Sequence, residues 1–220
     1  MATTPEEPEG NRLARLHVVT VAGTDEQVVD RVEAVLAAGA PLVQLRCKFG
    51  TDRARWLLAA EVVRRCQRVG ASCVVNDRTD IAAAAGADGV HLGADDLPVA
   101  AARRILGAGA LVGATRRDPD AGRQAEGQGA SYLGVGPVYA TTTKAGLPEP
   151  IGLRGVARVV AAVGLPVIAV GGVTTDRVGA LLDAGAHGVA VSATVFAGSG
   201  VRATTAELAA AIDAWATGPR

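Results

Sequence analysis

Residues 38–46 read AGAPLVQLR, a helix end, a glycine and a short apolar run, and close variants of the phrase return three times. Residues 85–93 read AGADGVHLG, residues 128–136 QGASYLGVG and residues 184–192 AGAHGVAVS. In each, the glycine suits the position just past a helix C-terminus, where the backbone turns left-handed, and the apolar run suits a buried strand. Weaker strands lie between them, SCVVN from Ser72, ALVGA from Ala110 and PVIAVGG from Pro166, while RLHVVT from Arg15 precedes them all, making eight. Stretches such as RARWLLAAEVVRRCQR from Arg53 and TDRVGALLDA from Thr175 carry helical periodicity. Strict alternation of strand and helix calls for parallel strands joined by right-handed crossovers. Eight such units predict an α/β fold, a single (β/α)8 TIM barrel over residues 13–217, with its chemistry where strands run into the following loops. A doubly wound open sheet is the alternative. It usually needs a Gly-rich dinucleotide turn after the first strand, and TVAGTDEQ from Thr20 is no GxGxxG.

Composition narrows the function. The chain has 220 residues, 49% hydrophobic and 20% charged, enough for a real core. Lys+Arg and Asp+Glu both total 22, so no global field favours nucleic acid or an anionic membrane, and anion binding must come from local clusters. One long uncharged stretch, residues 159–175, is broken by Gly164, Pro166, Gly171 and Gly172 and is shorter than the roughly 20 apolar residues that span a bilayer. The opening MATTPEEPEGNR has no apolar segment and reads as a disordered tail over residues 1–12. Cys47, Cys66 and Cys73 are odd in number and lack metal-ligand spacing, so they read as small buried hydrophobes in a reducing cytoplasm. With two Phe, two Trp and two Tyr, the chain relies on Ala, Val and Gly, which suit the layered interior of a barrel.

Side-chain parity places charge at the barrel mouth. In VQLRCK, Gln44, Arg46 and Lys48 share one face and Val43, Leu45 and Cys47 the other. The apolar face meets the helices, so the polar trio looks inward and two cations end the strand. The third strand ends in VVNDRTD, with Asn76 and Asp77 at its exit, and the fourth in HLGADD, with Asp95 and Asp96 one loop away. Asp77 and Asp96 are each suited to cap the helix that follows. Beside Arg46 and Lys48 they also suit a hard divalent cation completed by phosphate oxygens. After the sixth strand, GPVYATTTK offers hydroxyls and loop N–H groups to phosphate oxygens, and Lys144 joins Arg46, Lys48, Asp77 and Asp96 in a metal-assisted anion site, apart from a backbone-based one around Gly172 and Ser192. VGGVTTD from Val170 and VSATVF from Val191 follow the last two strands, where many barrels bind phosphate on backbone N–H groups. His91 reads as a hydrogen-bonded structural histidine, and His17 and His187 have no obvious partner. No Ser/His/Asp set and no HExxH is present.

Taken in order, QLRCK, ND, GADDLP, GPVYATTTK, the GG turn and the final VS segment resemble the thiamine phosphate synthase family, from roughly Leu13 to Ala197. The resemblance implies that Gln44, Arg46, Lys48, Asn76 and Lys144 contact 4-amino-2-methyl-5-hydroxymethylpyrimidine diphosphate, with Asp77 and Asp96 binding magnesium. It implies further that Thr141, Thr143, Gly172, Val191 and Ser192 hold hydroxyethylthiazole phosphate. Arg46, Lys48 and Lys144 are then the catalytic cations, meeting charge on a departing pyrophosphate in a dissociative transfer that gives thiamine phosphate. Partners are these phosphorylated small molecules, not nucleic acid or membrane; self-association stays open.

Three departures from the family pattern mark this chain. GATRR puts Thr115 where the family has serine and Arg117 where it has histidine, and Arg117 reads as a solvated charge beside Arg116. Ala140 stands in place of a proline before Thr141, which loosens the loop, and GVAVSAT is one residue shorter than the family's final segment. Two alternatives accompany the synthase reading: a thiazole tautomerase on the same barrel, and a non-catalytic sensor of phosphate ligands. Retention of Arg46, Lys48, Asp77, Asp96 and Lys144 argues against the first.

Overall fold

The computed structural model describes residues 13–141, 146–198 and 200–218. The expected tail over residues 1–12 lies outside them, as do Thr143 and Lys144. The strands are β1 (Leu16–Val19), β2 (Leu42–Leu45), β3 (Ser72–Asn76), β4 (Gly89–Leu92), β5 (Leu111–Thr115), β6 (Tyr132–Val135), β7 (Val167–Val170) and β8 (Gly188–Val191). They pair in parallel in chain order, and β8 closes onto β1, giving the TIM barrel. The helices are α1 (Asp25–Ala37), α2 (Asp52–Arg68), α3 (Thr79–Ala85), α4 (Val99–Leu106), α5 (Pro119–Gly127), α6 (Gly152–Val160), α7 (Val178–Asp183), the short α8 (Ala193–Phe196) and α9 (Val201–Thr217).

Local chemistry sets these boundaries. Thr24 and Gln27 form a reciprocal capping box at the start of α1, and the Thr51 and Asp118 side chains cap α2 and α5. The repeated glycines fall where expected: Gly39 and Gly185, just past α1 and α7, have φ of 84° and 93°, a conformation that penalises any Cβ.

The barrel separates two environments. Val43 and Leu45 of β2 join the large core between strands and helices, each about fully buried, which stabilises the fold by roughly 2 kcal/mol per side chain. Inside, Leu42, Val74 and Leu111 pack together, and Tyr132, Ile168 and Ala190 form a second cluster. His17 lies against Tyr132, edge to face, and its Nε2 is 3.0 Å from the Ala14 carbonyl oxygen; His187 Nε2 is 2.9 Å from that of Leu13. Both histidines therefore have the partners that sequence alone does not indicate. Gly93, Gly134 and Gly136 line the cavity at the strand ends. Among the described residues the three cysteines are free, and no helix is long and apolar enough to cross a membrane.

Candidate active site

A cavity of about 920 Å³ opens at the C-terminal ends of the strands. Gln44, Arg46 and Lys48 line it from β2 and the loop beyond, as their shared parity requires. Asn76, Asp77 and Asp96 line it from the ends of β3 and β4, and Thr115 from the end of β5. Thr141, Gly172, Val191 and Ser192 complete the opposite wall. Every expected site residue among those described thus meets in one cavity.

A polar chain runs across the first wall. Gln44 Nε2 donates to Asn76 Oδ1 at 2.6 Å, the Asn76 amide donates to Asp77, and Asp96 Oδ2 accepts from the Gly93 N–H at 2.6 Å. Neither acid caps a helix: the residues preceding α3 and α4 are Arg78 and Pro98, which make no side-chain cap. Asp77 instead sits at the centre of a three-residue turn closed by the Arg78 N–H on the Asn76 carbonyl at 2.8 Å, with φ of 66°. A γ-turn of positive φ is strained for any residue with a side chain, and such strain gathers at functional sites. It brings the Asp77 carboxyl against that of Asp96. Burial first, and then the hydrogen bond and charge of Asp96, raise the Asp77 pKa to about 6, against the pull of Lys48 at 3.9 Å.

Two touching carboxyl groups hold either a proton or a cation. Their hard oxygen donors suit magnesium, which keeps several waters and takes one or two carboxylates plus substrate phosphates. Among the described residues no group of three or more His, Cys, Asp or Glu forms a closed metal cage. The pair therefore fits a cation shared with a ligand rather than a structural metal. The Arg46 backbone N–H is held by Thr20 Oγ1 at 2.9 Å, while its guanidinium has no ion-pair partner among the described residues.

The opposite wall is built on glycine. Gly171 and Gly172 have φ of 96° and 65°, and a Cβ on Gly172 would lie 2.6 Å from the Ala140 carbonyl oxygen. Only glycines let this turn pack against the loop after β6. Arg177 fastens the two together: Nη1 donates to the Gly172 carbonyl at 2.6 Å, and the guanidinium stacks over Tyr139, 4.3 Å from the ring centre. The Val138 and Tyr139 N–H groups donate to the Val170 and Gly171 carbonyls at 2.9 and 3.0 Å. The loop is thus anchored up to Tyr139. Ser192 joins β8 to α8, and the Thr194 hydroxyl donates to the Val173 carbonyl, tying α8 to the turn after β7.

One expectation is overturned. Arg117 is no solvated charge: it is half-buried, its Nε donates to the Gly136 carbonyl at 3.2 Å and its Nη2 to that of Glu149 at 2.5 Å. These bonds join the two ends of the loop after β6. Arg177 and Tyr139 carried no sequence signal, since their contact crosses two loops.

The model of the family described as thiamine monophosphate synthase matches residues 16–195. A thiamine-phosphate synthase of Salinispora arenicola is 50% identical over 198 residues, covering 88% of this chain and 95% of that protein. One from Natronomonas pharaonis is 45% identical over 184 residues, 83% of this chain and 86% of its own. Among solved structures, the thiamine phosphate pyrophosphorylase of Pyrococcus furiosus superposes with a TM-score of 0.82 at 31% identity, covering 91% of this chain and 96% of that one.

Proposed function

Because the chain belongs to the thiamine monophosphate synthase family, we propose that it condenses hydroxymethylpyrimidine diphosphate with hydroxyethylthiazole phosphate, releasing pyrophosphate and forming thiamine phosphate. The observation that supports this reading is one cavity with Arg46, Lys48 and two carboxylates on one wall and the Gly172 turn with Ser192 on the other. At about 920 Å³ the space is near the upper end of the roughly 300–1,000 Å³ usual for ligand pockets, so two substrates fit together.

The diphosphate lies on the wall of Arg46, Lys48, Asp77 and Asp96; Lys144, which the family resemblance adds to this set, lies outside the described residues. The pyrimidine is bound by Gln44 and Asn76, whose mutual hydrogen bond holds both amides in one orientation. The thiazole phosphate lies against Gly172, Val191 and Ser192, with Thr141 and Thr143 adding hydroxyls. When the bond from the pyrimidine methylene to the diphosphate oxygen breaks, its electron pair leaves with the diphosphate, and the thiazole nitrogen attacks the methylene carbon. Arg46 and Lys48 face the oxygens on which charge grows, so they stabilise the transition state more than the bound substrate, and the same role is assigned to Lys144 by the resemblance. Asp77 and Asp96 would hold magnesium, which would supply further charge neutralisation at the diphosphate. No proton must be removed for the carbon–nitrogen bond to form, so the reaction asks for no base from His17 and His91, the histidines that line the cavity.

The test is turnover. Incubated with both precursors and magnesium, the protein should release thiamine phosphate and pyrophosphate in equal amounts, and chelation should stop the reaction. Rearrangement of a thiazole substrate alone, without pyrophosphate, would instead indicate a tautomerase, and tight binding without turnover a sensor.

A further inference from the structure

Beneath the mouth lies a hydrogen-bonded chain that the reaction above does not use. The Tyr132 hydroxyl is 3.0 Å from His91 Nδ1, and His91 Nε2 is 2.8 Å from Thr115 Oγ1. Tyr132 is 1% exposed, and glycines on neighbouring strands clear room for the chain. A Cβ on Gly113 would come within 2.4 Å of the Tyr132 hydroxyl and 2.6 Å of His91 Nδ1, and one on Gly134 within 2.8 Å of His91 Cε1.

The donors can be placed along it. Among the described residues His91 is the only hydrogen-bond partner of the Tyr132 hydroxyl. Buried donors are rarely left unmatched, whereas acceptors tolerate it better, so the hydroxyl donates and Nδ1 accepts. An Nδ1 that accepts carries no proton, so the ring is neutral and carries one N–H. That N–H is on Nε2 and donates to Thr115 Oγ1. The Thr115 proton then has no acceptor among the described residues, and Thr115 lines the cavity.

We propose that Tyr132 and His91 are positioning residues that, acting through Thr115, fix a hydroxyl donor at the mouth for an acceptor oxygen of the diphosphate. The identity of that ligand rests on the synthase reading; the direction of the chain does not. A general base at Thr115 is excluded by the same direction, since its oxygen is already occupied by the His91 N–H.

Two measurements test it. Imidazole ¹⁵N spectra of the wild-type protein at pH 7 should show His91 protonated on Nε2 and bare on Nδ1; the opposite tautomer overturns the proposal, whether or not any variant folds. Calorimetry with inorganic pyrophosphate and magnesium should show Thr115→Val binding about fivefold more weakly, one lost hydrogen bond, and Thr115→Ser binding like wild type. Tyr132→Phe should weaken binding less, by freeing the tautomer, and the double variant Tyr132→Phe/Thr115→Val should bind no more weakly than Thr115→Val. Additive losses, or no loss in Tyr132→Phe, overturn the proposal. If wild type fails to bind pyrophosphate, the synthase reading falls, while the ¹⁵N spectrum still decides the direction of the chain.

Discussion

At the scale of single residues, Asp77 is where stability and function oppose each other. Its folded pKa of about 6 lies above the ordinary 3.8, so the folded state favours the protonated form. The cost of ionising it is absent below about pH 4, grows as pH rises, and is complete above about pH 6. Asparagine removes that charge and also tolerates positive φ better than most residues. Metal-free Asp77→Asn should therefore be more stable than wild type at pH 7, by on the order of 1 kcal/mol, and lose that gain at pH 4. Turnover should fall about hundredfold or more, ~3 kcal/mol of transition-state stabilisation, with a raised magnesium requirement. Urea unfolding in chelator and a magnesium titration of activity check both halves; a variant less stable at pH 7 would mean that the Asp96 contact is not repulsive. Arg117 makes a second case. Its two carbonyl partners predict that Arg117→Ala raises KM for the thiazole phosphate severalfold while leaving pyrophosphate affinity near wild type. Unchanged kinetics would reduce the contacts to a surface bracket.

At the scale of elements, the turn after β7 and the loop after β6 act as one wall. Gly172→Ala must place a Cβ against the Ala140 carbonyl at a φ of 65°, so either the turn or the loop shifts. The expected cost is roughly 1–3 kcal/mol in stability, with thiazole phosphate affinity falling and pyrophosphate binding kept. Denaturation and ligand titrations of Gly172→Ala separate these effects, and equal losses at both ligands would show that the walls are not independent. What the sequence reveals follows from the range of the forces involved. Period-two alternation in VQLRCK is local, so the inward set of Gln44, Arg46 and Lys48 is legible, and the repeated glycines mark helix ends for the same reason. Asp77 looked like a cap because aspartate is common there, and nothing in a string of letters shows a positive φ at a residue other than glycine. Arg117 and Arg177 act on carbonyls 19 to 32 and 5 residues away, contacts set by the tertiary packing of loops, so their roles emerge only in the fold.

At the scale of the whole molecule, the barrel keeps two histidines neutral inside it. Burial, the larger cause for each, lowers His17 to about 3 and His91 to about 4. Both folded values lie below the ordinary 6.5, so as pH falls below that point the unfolded chain binds protons that the folded chain refuses. Stability should drop from about pH 6.5 downward, by up to ~1.4 kcal/mol per pH unit for each ring, partly offset by Asp77. Urea unfolding at pH 7, 6 and 5 reads this directly, and a flat profile would place the rings in contact with water. The same closed barrel brings the Arg46/Lys48 wall and the Gly172/Ser192 wall to one cavity, and that each wall binds its own anion is the proposal on which the functional account stands. It is tested most directly by calorimetric titration of hydroxyethylthiazole phosphate into protein already saturated with pyrophosphate and magnesium. The account predicts that both ligands bind at once, one of each per chain, with magnesium required for pyrophosphate alone. Mutual displacement of the two ligands would contradict it.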